Sequence, residues 1–130
     1  MVAMADYTAK RIADMEAAYG GGFVKARAEL GITSFGIQVI QLPPDSGDYP
    51  EHDHIADGQE EVFLALGGSG WIEVEGERVE LDPETFVRVG PAAKRKIFSG
   101  PEGLRVLALG GAPNEIYKIK PFSELNSSTA

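Results

Sequence analysis

From Ser34 to Gly111 the chain is a succession of short apolar, β-branched runs recurring about every ten residues, each cut by glycine, proline or a polar turn. That rhythm restricts the fold more than any other feature, because it leaves no room for the long helical crossovers that parallel α/β units require. It predicts an all-β sandwich or closed barrel. The first run places Phe35, Ile37 and Val39 on one face and stops at Pro43 and Pro44. EEVFLAL follows, and WIEVEGERVEL then reads as a hairpin turning at Glu75 to Glu77, with Ile72 and Val74 opposite Val79 and Leu81. FVRV and KRKIF are the next strands, separated by Gly90 and Pro91, and SGPEG reads as a turn into LRVLALGG. EIYKIKPF reads as an added edge strand.

The segment before residue 34 has a different period. Asp14 is placed to cap a short helix through Tyr19, ended by Gly20 to Gly22, and FVKARAEL puts Phe23, Arg27 and Leu30 at helical spacing before Gly31. Met1 to Ala5 read as a frayed start. The expected organisation is a helical packing segment over 1–33, one barrel over 34–122 and a flexible polar tail over 123–130, within a chain of 130 residues that suffices for one real core.

The chemistry gathers between Gly47 and Gly68, where both histidines of the protein precede two adjacent glutamates. His52 and His54 are two apart, so on an extended strand their rings leave the same face. Two imidazoles and a carboxylate from a neighbouring strand suit divalent iron, manganese, nickel or zinc. Glu61 shares a face with Phe63 and Ala65, and Glu60 with Val62, Leu64 and Leu66. Both faces are apolar, so alternation leaves the choice between the glutamates open. Further along, if Lys94 and Lys96 face water, Arg95 and Ile97 point inward. A charge inside a barrel needs a partner, so Arg95 either pairs with Glu61 in a metal-free pocket or clamps an anionic group of a bound molecule; a register slip of one would instead put it on the surface. Tyr49 and Gln59 flank the histidines and are candidates for the pocket mouth, and Trp71 for core or interface packing.

The histidine segment resembles the first motif of the cupin superfamily, a His-x-His pair followed by a glutamate and then a glycine, which here are His52, His54, Glu61 and Gly68. Glu60 with Gly67 is the alternative pair. ELDPETFVRVGPAAKRKIFSG is similar to the family's second motif, in which a turn, a short strand and a proline-containing loop lead to a fourth ligand. That ligand is usually histidine, and Arg95 stands in its place. The resemblance implies a small jelly-roll β-barrel with short N-terminal helices and a mononuclear divalent metal at His52, His54 and Glu61. It also implies metal-dependent chemistry of oxygenase or isomerase type on a small, anionic organic molecule, with no organic cofactor. The alternative is a metal-free binding or sensing module with Arg95 in place of the fourth ligand.

Composition narrows the partners. A net charge of −8, with Lys94, Arg95 and Lys96 as the basic cluster, argues against nucleic acid. The absence of cysteine excludes disulfides and thiolate ligands and fits a reducing cytosol. No apolar run is long enough for a membrane span or an export signal, so a soluble cytoplasmic protein is expected. The apolar strand FGIQVI beside the N-terminal helices is the expected patch for a homodimer.

Overall fold

Two long strands carry the architecture of the computed structural model, which describes residues 5–127. In chain order the elements are β1 (Ala17–Ala18), β2 (Phe23–Val24), α1 (Ala26–Leu30), β3 (Gly36–Leu42), β4 (Glu60–Val74), β5 (Glu77–Leu81), β6 (Val87–Val89) and β7 (Arg95–Gly111). All pairings are antiparallel, in the order β1-β2-β3-β7-β4-β5, with β6 also on β4. β4 and β7 run 15 and 17 residues, so the expected breaks at the glycines after EEVFLAL and at SGPEG are bends inside continuous strands. The register shifts between Ala65 and Gly67 and again between Gly68 and Gly70. Gly68 shows why the ribbon bends there: its φ is +84°, and a Cβ on it would stand 2.1 Å from the Gly103 carbonyl oxygen. Only glycine lets the two backbones pass so close.

Register sorts the side chains into two faces. Gln38, Ala108 and Phe63 oppose one another across β3, β7 and β4, as do Ile40, Val106 and Ala65, and these rows point into the core. Ile72, Leu81, Val89, Ile97 and Leu104 complete that core. Burying five such side chains contributes on the order of 10 kcal/mol against the ordering entropy of the chain. The alternate rows, Ile37 with Leu109 and Val62, and Val39 with Leu107 and Leu64, form the outer face. The fold is therefore the expected all-β barrel. Its hairpin turns on Glu75 and Gly76, both at positive φ, so Val74 pairs with Glu77 and Leu81 with Gly70, while Ile72 and Val79 pair as expected.

The N-terminal reading needs correction. Asp14 closes a single 3-10 turn, Ile12–Asp14, and no helix continues to Tyr19. Ala17–Ala18 and Phe23–Val24 instead extend the sheet, because β2 finds backbone partners at Val39 and Ile40. Helix α1 is reduced to Ala26–Leu30, stopping at Gly31 as expected. The histidine segment is not a strand either, apart from one bridge between His52 and Arg95. EIYKIKPF alternates, with Tyr117 and Ile119 half-buried and Ile116 exposed, but it pairs with no strand among the described residues. Residues 123–127 of the expected flexible tail are tied back to the body: Lys25 donates to the Glu124 carbonyl (2.9 Å) and to Ser127 Oγ (2.7 Å). The Asn126 amide donates to the Glu16 carboxylate at 2.9 Å. Met1 to Met4 and residues 128–130 lie outside the described residues. Among the described residues no helix is long and apolar enough to cross a membrane.

Candidate functional site

The site grows from one row of the sheet, Gly36, Gly110 and Glu61, opposed across β3, β7 and β4. Two residues without side chains on the inner face leave the Glu61 carboxylate room and open the barrel there. Other groups occupy the space: a Cβ on Gly36 would stand 2.7 Å from the Tyr117 hydroxyl, and one on Gly110 would stand 2.8 Å from Gln59 Oε1. The resulting cavity of about 1190 Å³ is lined by His52, His54, Glu61, Tyr49 and Gln59, and its apolar wall includes Phe23 and Ile40.

His52 and His54 are held from the loop before β4. His52 exchanges both backbone hydrogen bonds with Arg95 (2.8 and 3.1 Å), and the His54 amide donates to the Pro91 carbonyl at 2.8 Å. Their ring centroids lie 5.1 Å apart, and one ligand atom from each of His52, His54 and Glu61 falls within 4.8 Å of the others. The three residues are therefore brought together. Glu60 is not part of the cluster: it points to the outer face and pairs with Arg88 at 2.8 Å.

Hydrogen-bond partners define the ring nitrogens. His52 Nδ1 sits 2.9 Å from the Pro50 carbonyl oxygen, and His54 Nδ1 sits 3.0 Å from an Asp57 carboxylate oxygen. A carbonyl and an ionised carboxylate only accept, so each Nδ1 must carry the proton. In the neutral rings both Nε2 lone pairs are then free, and the Asp57–His54 arrangement is the one that orients imidazole ligands around metals. His54 Nε2 is buried and makes no aligned hydrogen bond, although Glu61 Oε1 is 3.2 Å away. An orphaned, buried acceptor aimed at a carboxylate fits a cation between them.

Arg95 is the counterweight. It is fully buried and donates to Glu61 Oε1 (2.5 Å), to the Gly90 carbonyl (2.6 Å) and to the Ala93 carbonyl (3.0 Å). The inward orientation follows from the Lys-Arg-Lys alternation. Of the two inward roles, the structure has the pair with Glu61: all three guanidinium nitrogens are engaged, and Arg95 does not line the cavity. It positions Glu61 from behind.

The charges shift the titrations accordingly. Burial of Glu61 disfavours its charge, but His54 and Arg95 outweigh that and hold its pKa below the ordinary value. The Glu61 carboxylate raises the pKa of His54 against the effect of burial, with Asp57 adding to it. Asp57 is partly desolvated, yet Lys120 (2.9 Å) and His54 bring it down to about 2. Burial, and then the Glu61 charge, push the Tyr49 hydroxyl up, so it is a neutral donor at the cavity wall. Sequence reasoning did not find Asp57, Lys120 or Tyr117; a carboxylate three residues after His54 was the available signal for the first.

No protein-family model matches the chain, and no curated protein matches it. Solved structures do. A cupin protein from Bacteroides fragilis is similar over 90% of this chain and 93% of its own, with a TM-score of 0.69 and 23% identity. The cupin domain of an XRE-family transcriptional regulator from Enterobacter cloacae is 21% identical and covers 65% of this chain and 87% of that one, with a TM-score of 0.54. A protein from Thermotoga maritima described as a predicted oxalate decarboxylase is 24% identical over 58% of this chain and 64% of its own, with a TM-score of 0.51. Regulators and enzymes thus share this barrel, and the likeness carries the fold and not a reaction. The likeness shows that the chain has the cupin fold, with the His52, His54 and Glu61 cluster inside its barrel.

Proposed function

We propose that the barrel binds a small, anionic organic molecule beside a mononuclear divalent metal held by His52, His54 and Glu61, and that it supports metal-dependent chemistry of oxygenase or isomerase type in the cytoplasm. The observation that carries this reading is the commitment of both Nδ1 protons to Pro50 and Asp57, which leaves two Nε2 lone pairs beside Glu61. Iron, manganese, nickel or zinc suits two imidazoles and a carboxylate, and when bound would supply a Lewis acid with open positions. The chain's own residues do the rest. Asp57 fixes His54, Arg95 fixes Glu61, and the apolar wall keeps water from the bound molecule.

A second reading is supported by one specific contact. Arg95 already neutralises Glu61, and a proton on His54 Nε2 would give that nitrogen a partner in the Glu61 carboxylate, so the same pocket is self-consistent as a metal-free binding or sensing module. Elemental analysis of untagged protein purified without added metal separates the two. The metal reading expects stoichiometric divalent metal in the parent and its loss in His52→Ala and His54→Ala, with circular dichroism unchanged because the core does not depend on the ion. Variants that retain metal like the parent would place the site elsewhere. A parent that neither contains nor takes up metal leaves the binding module.

A further inference from the structure

Three cationic side chains other than the histidines line the cavity, and two of them are ion-paired: Lys25 with Glu16 (2.7 Å), with further bonds to the Glu124 carbonyl and Ser127, and the partly exposed Lys120 with Asp57 (2.9 Å). The third is Arg27. Its side chain comes from the first turn of α1, is 5% exposed, and uses one nitrogen, Nη1, to donate to the Ile32 carbonyl at 2.9 Å. Nε and Nη2 are buried with no hydrogen-bond partner among the described residues. The nearest carboxylate is that of Glu124, whose Oε1 is 3.6 Å from Nη2 and whose side chain is about half exposed. A guanidinium stripped of water with two idle donors is costly, and the cost is offset when an oxyanion takes both donors.

We propose that Arg27 is the oxyanion subsite of the cavity, receiving the carboxylate or phosphate of a small amphipathic molecule whose apolar body lies along Phe23, Ile40 and Phe122 and whose other end reaches the His52, His54 and Glu61 cluster. This deepens the reading of the pocket given above and rests on it only for what the far end meets. The lining residues carry the chemistry: the planar guanidinium fork matches an oxyanion edge, and the apolar wall keeps that pair dry. Tyr117 also lines the cavity, with its hydroxyl against Gly36. Its hydroxyl, raised by burial, experiences Arg27 and Lys120 on one side and Asp57 and Glu61 on the other, and it is a neutral donor available to the same oxyanion. The cavity thereby acquires a polarity along its length. Arg95, the cation expected to clamp the anion, is replaced in that role by one on a different element.

Calorimetric titration with hexanoate, hexyl phosphate and the neutral hexanamide tests this, on chelator-treated protein and again with Mn²⁺ added. The parent is expected to bind hexanoate or hexyl phosphate at least about tenfold more tightly than hexanamide without metal, equivalent to about 1.4 kcal/mol. Arg27→Gln should lose that preference while leaving hexanamide binding unchanged, and Arg27→Lys should recover part of it. In the parent, the Arg27 Nε–H resonance should shift with hexanoate and not with hexanamide, a readout that survives even if the variants fold poorly. An unshifted resonance overturns the inference, as does oxyanion binding that Arg27→Gln leaves intact but His54→Ala abolishes, since the anion would then sit at the metal cluster. Because the titrations are read without metal, they can succeed where the metal reading fails, and the reverse.

Discussion

Replacing Arg95 by histidine should move two measurements in opposite directions. A divalent ion held between His54 and Glu61 would stand about 5 Å from the guanidinium that binds the same carboxylate, and at an effective dielectric near 20 their repulsion is about 6 to 7 kcal/mol. The bridge between His52 and Arg95 places the two positions side by side, so a histidine there presents a third imidazole, and a fourth ligand, next to His52. If about a fifth of the repulsion survives screening and repacking, the affinity for Mn²⁺ or Zn²⁺ rises by at least about tenfold, or about 1.4 kcal/mol. Without metal the variant should be less stable than the parent by about 3 kcal/mol, because a buried carboxylate has lost its guanidinium. Metal titration by calorimetry and urea unfolding with and without chelator measure both quantities. A variant with unchanged metal affinity and unchanged metal-free stability would refute the reasoning, since neither the repulsion nor the buried pair would then exist.

Three further outcomes are expected. Gly68→Ala forces a Cβ into the Gly103 carbonyl and a left-handed backbone on alanine, so it should destabilise the barrel by about 3 kcal/mol or more, read as a lower urea midpoint. Glu16 is held below its ordinary pKa of 4.5 by Lys25 and then by the Asn126 amide, so its contribution is present above that value and is lost as pH falls through the folded pKa. The protection factor of the Asn126 amide should therefore hold from neutral pH through 4.5 and fall only below it, and protection already lost above 4.5 would contradict the link. We also propose that the outer face carrying Ile37, Val62, Leu64, Leu107 and Leu109 pairs with a second copy of the chain, so that sedimentation at tens of micromolar gives a dimer; a monomer at that concentration removes the claim.

What could be read from the sequence was whatever alternation alone decides. Arg95 points inward because two lysines flank it, and the barrel follows from runs that end in turn residues. What could not be read depends on partners distant in sequence. Both faces of β4 are apolar, so nothing within that strand separates Glu61 from Glu60. The separation comes from Gly36 and Gly110, which lie opposite Glu61 only once β3 and β7 are in register. The bends at Gly68 and SGPEG look like breaks in the sequence for the same reason. A glycine that ends a strand and one that lets two strands cross have the same local signature, and only the facing Gly103 carbonyl distinguishes them.

Arg27 shows how a missed residue can still leave a trace. Helical spacing aligns it with Phe23 and Leu30, which is an apolar stripe interrupted by one cation. A cation in such a stripe usually snorkels to solvent along its stem. Here it has no such route, because α1 is only five residues long and the guanidinium is engaged with the Ile32 carbonyl just beyond Gly31. The chain after β7 then passes over the cavity, bringing Tyr117, Lys120 and Phe122 to its wall. Lys120 pairs with Asp57, whereas Arg27 keeps two buried donors without a partner among the described residues. The N-terminal segment, which sequence periodicity assigns only to packing, and the segment after β7, which it reads as an edge strand and a tail, thus both contribute to the cavity wall. On the two proposals made above, selectivity would be divided accordingly: the cluster on β4 and its preceding loop would set what is coordinated, and Arg27 on α1 which charged group is received.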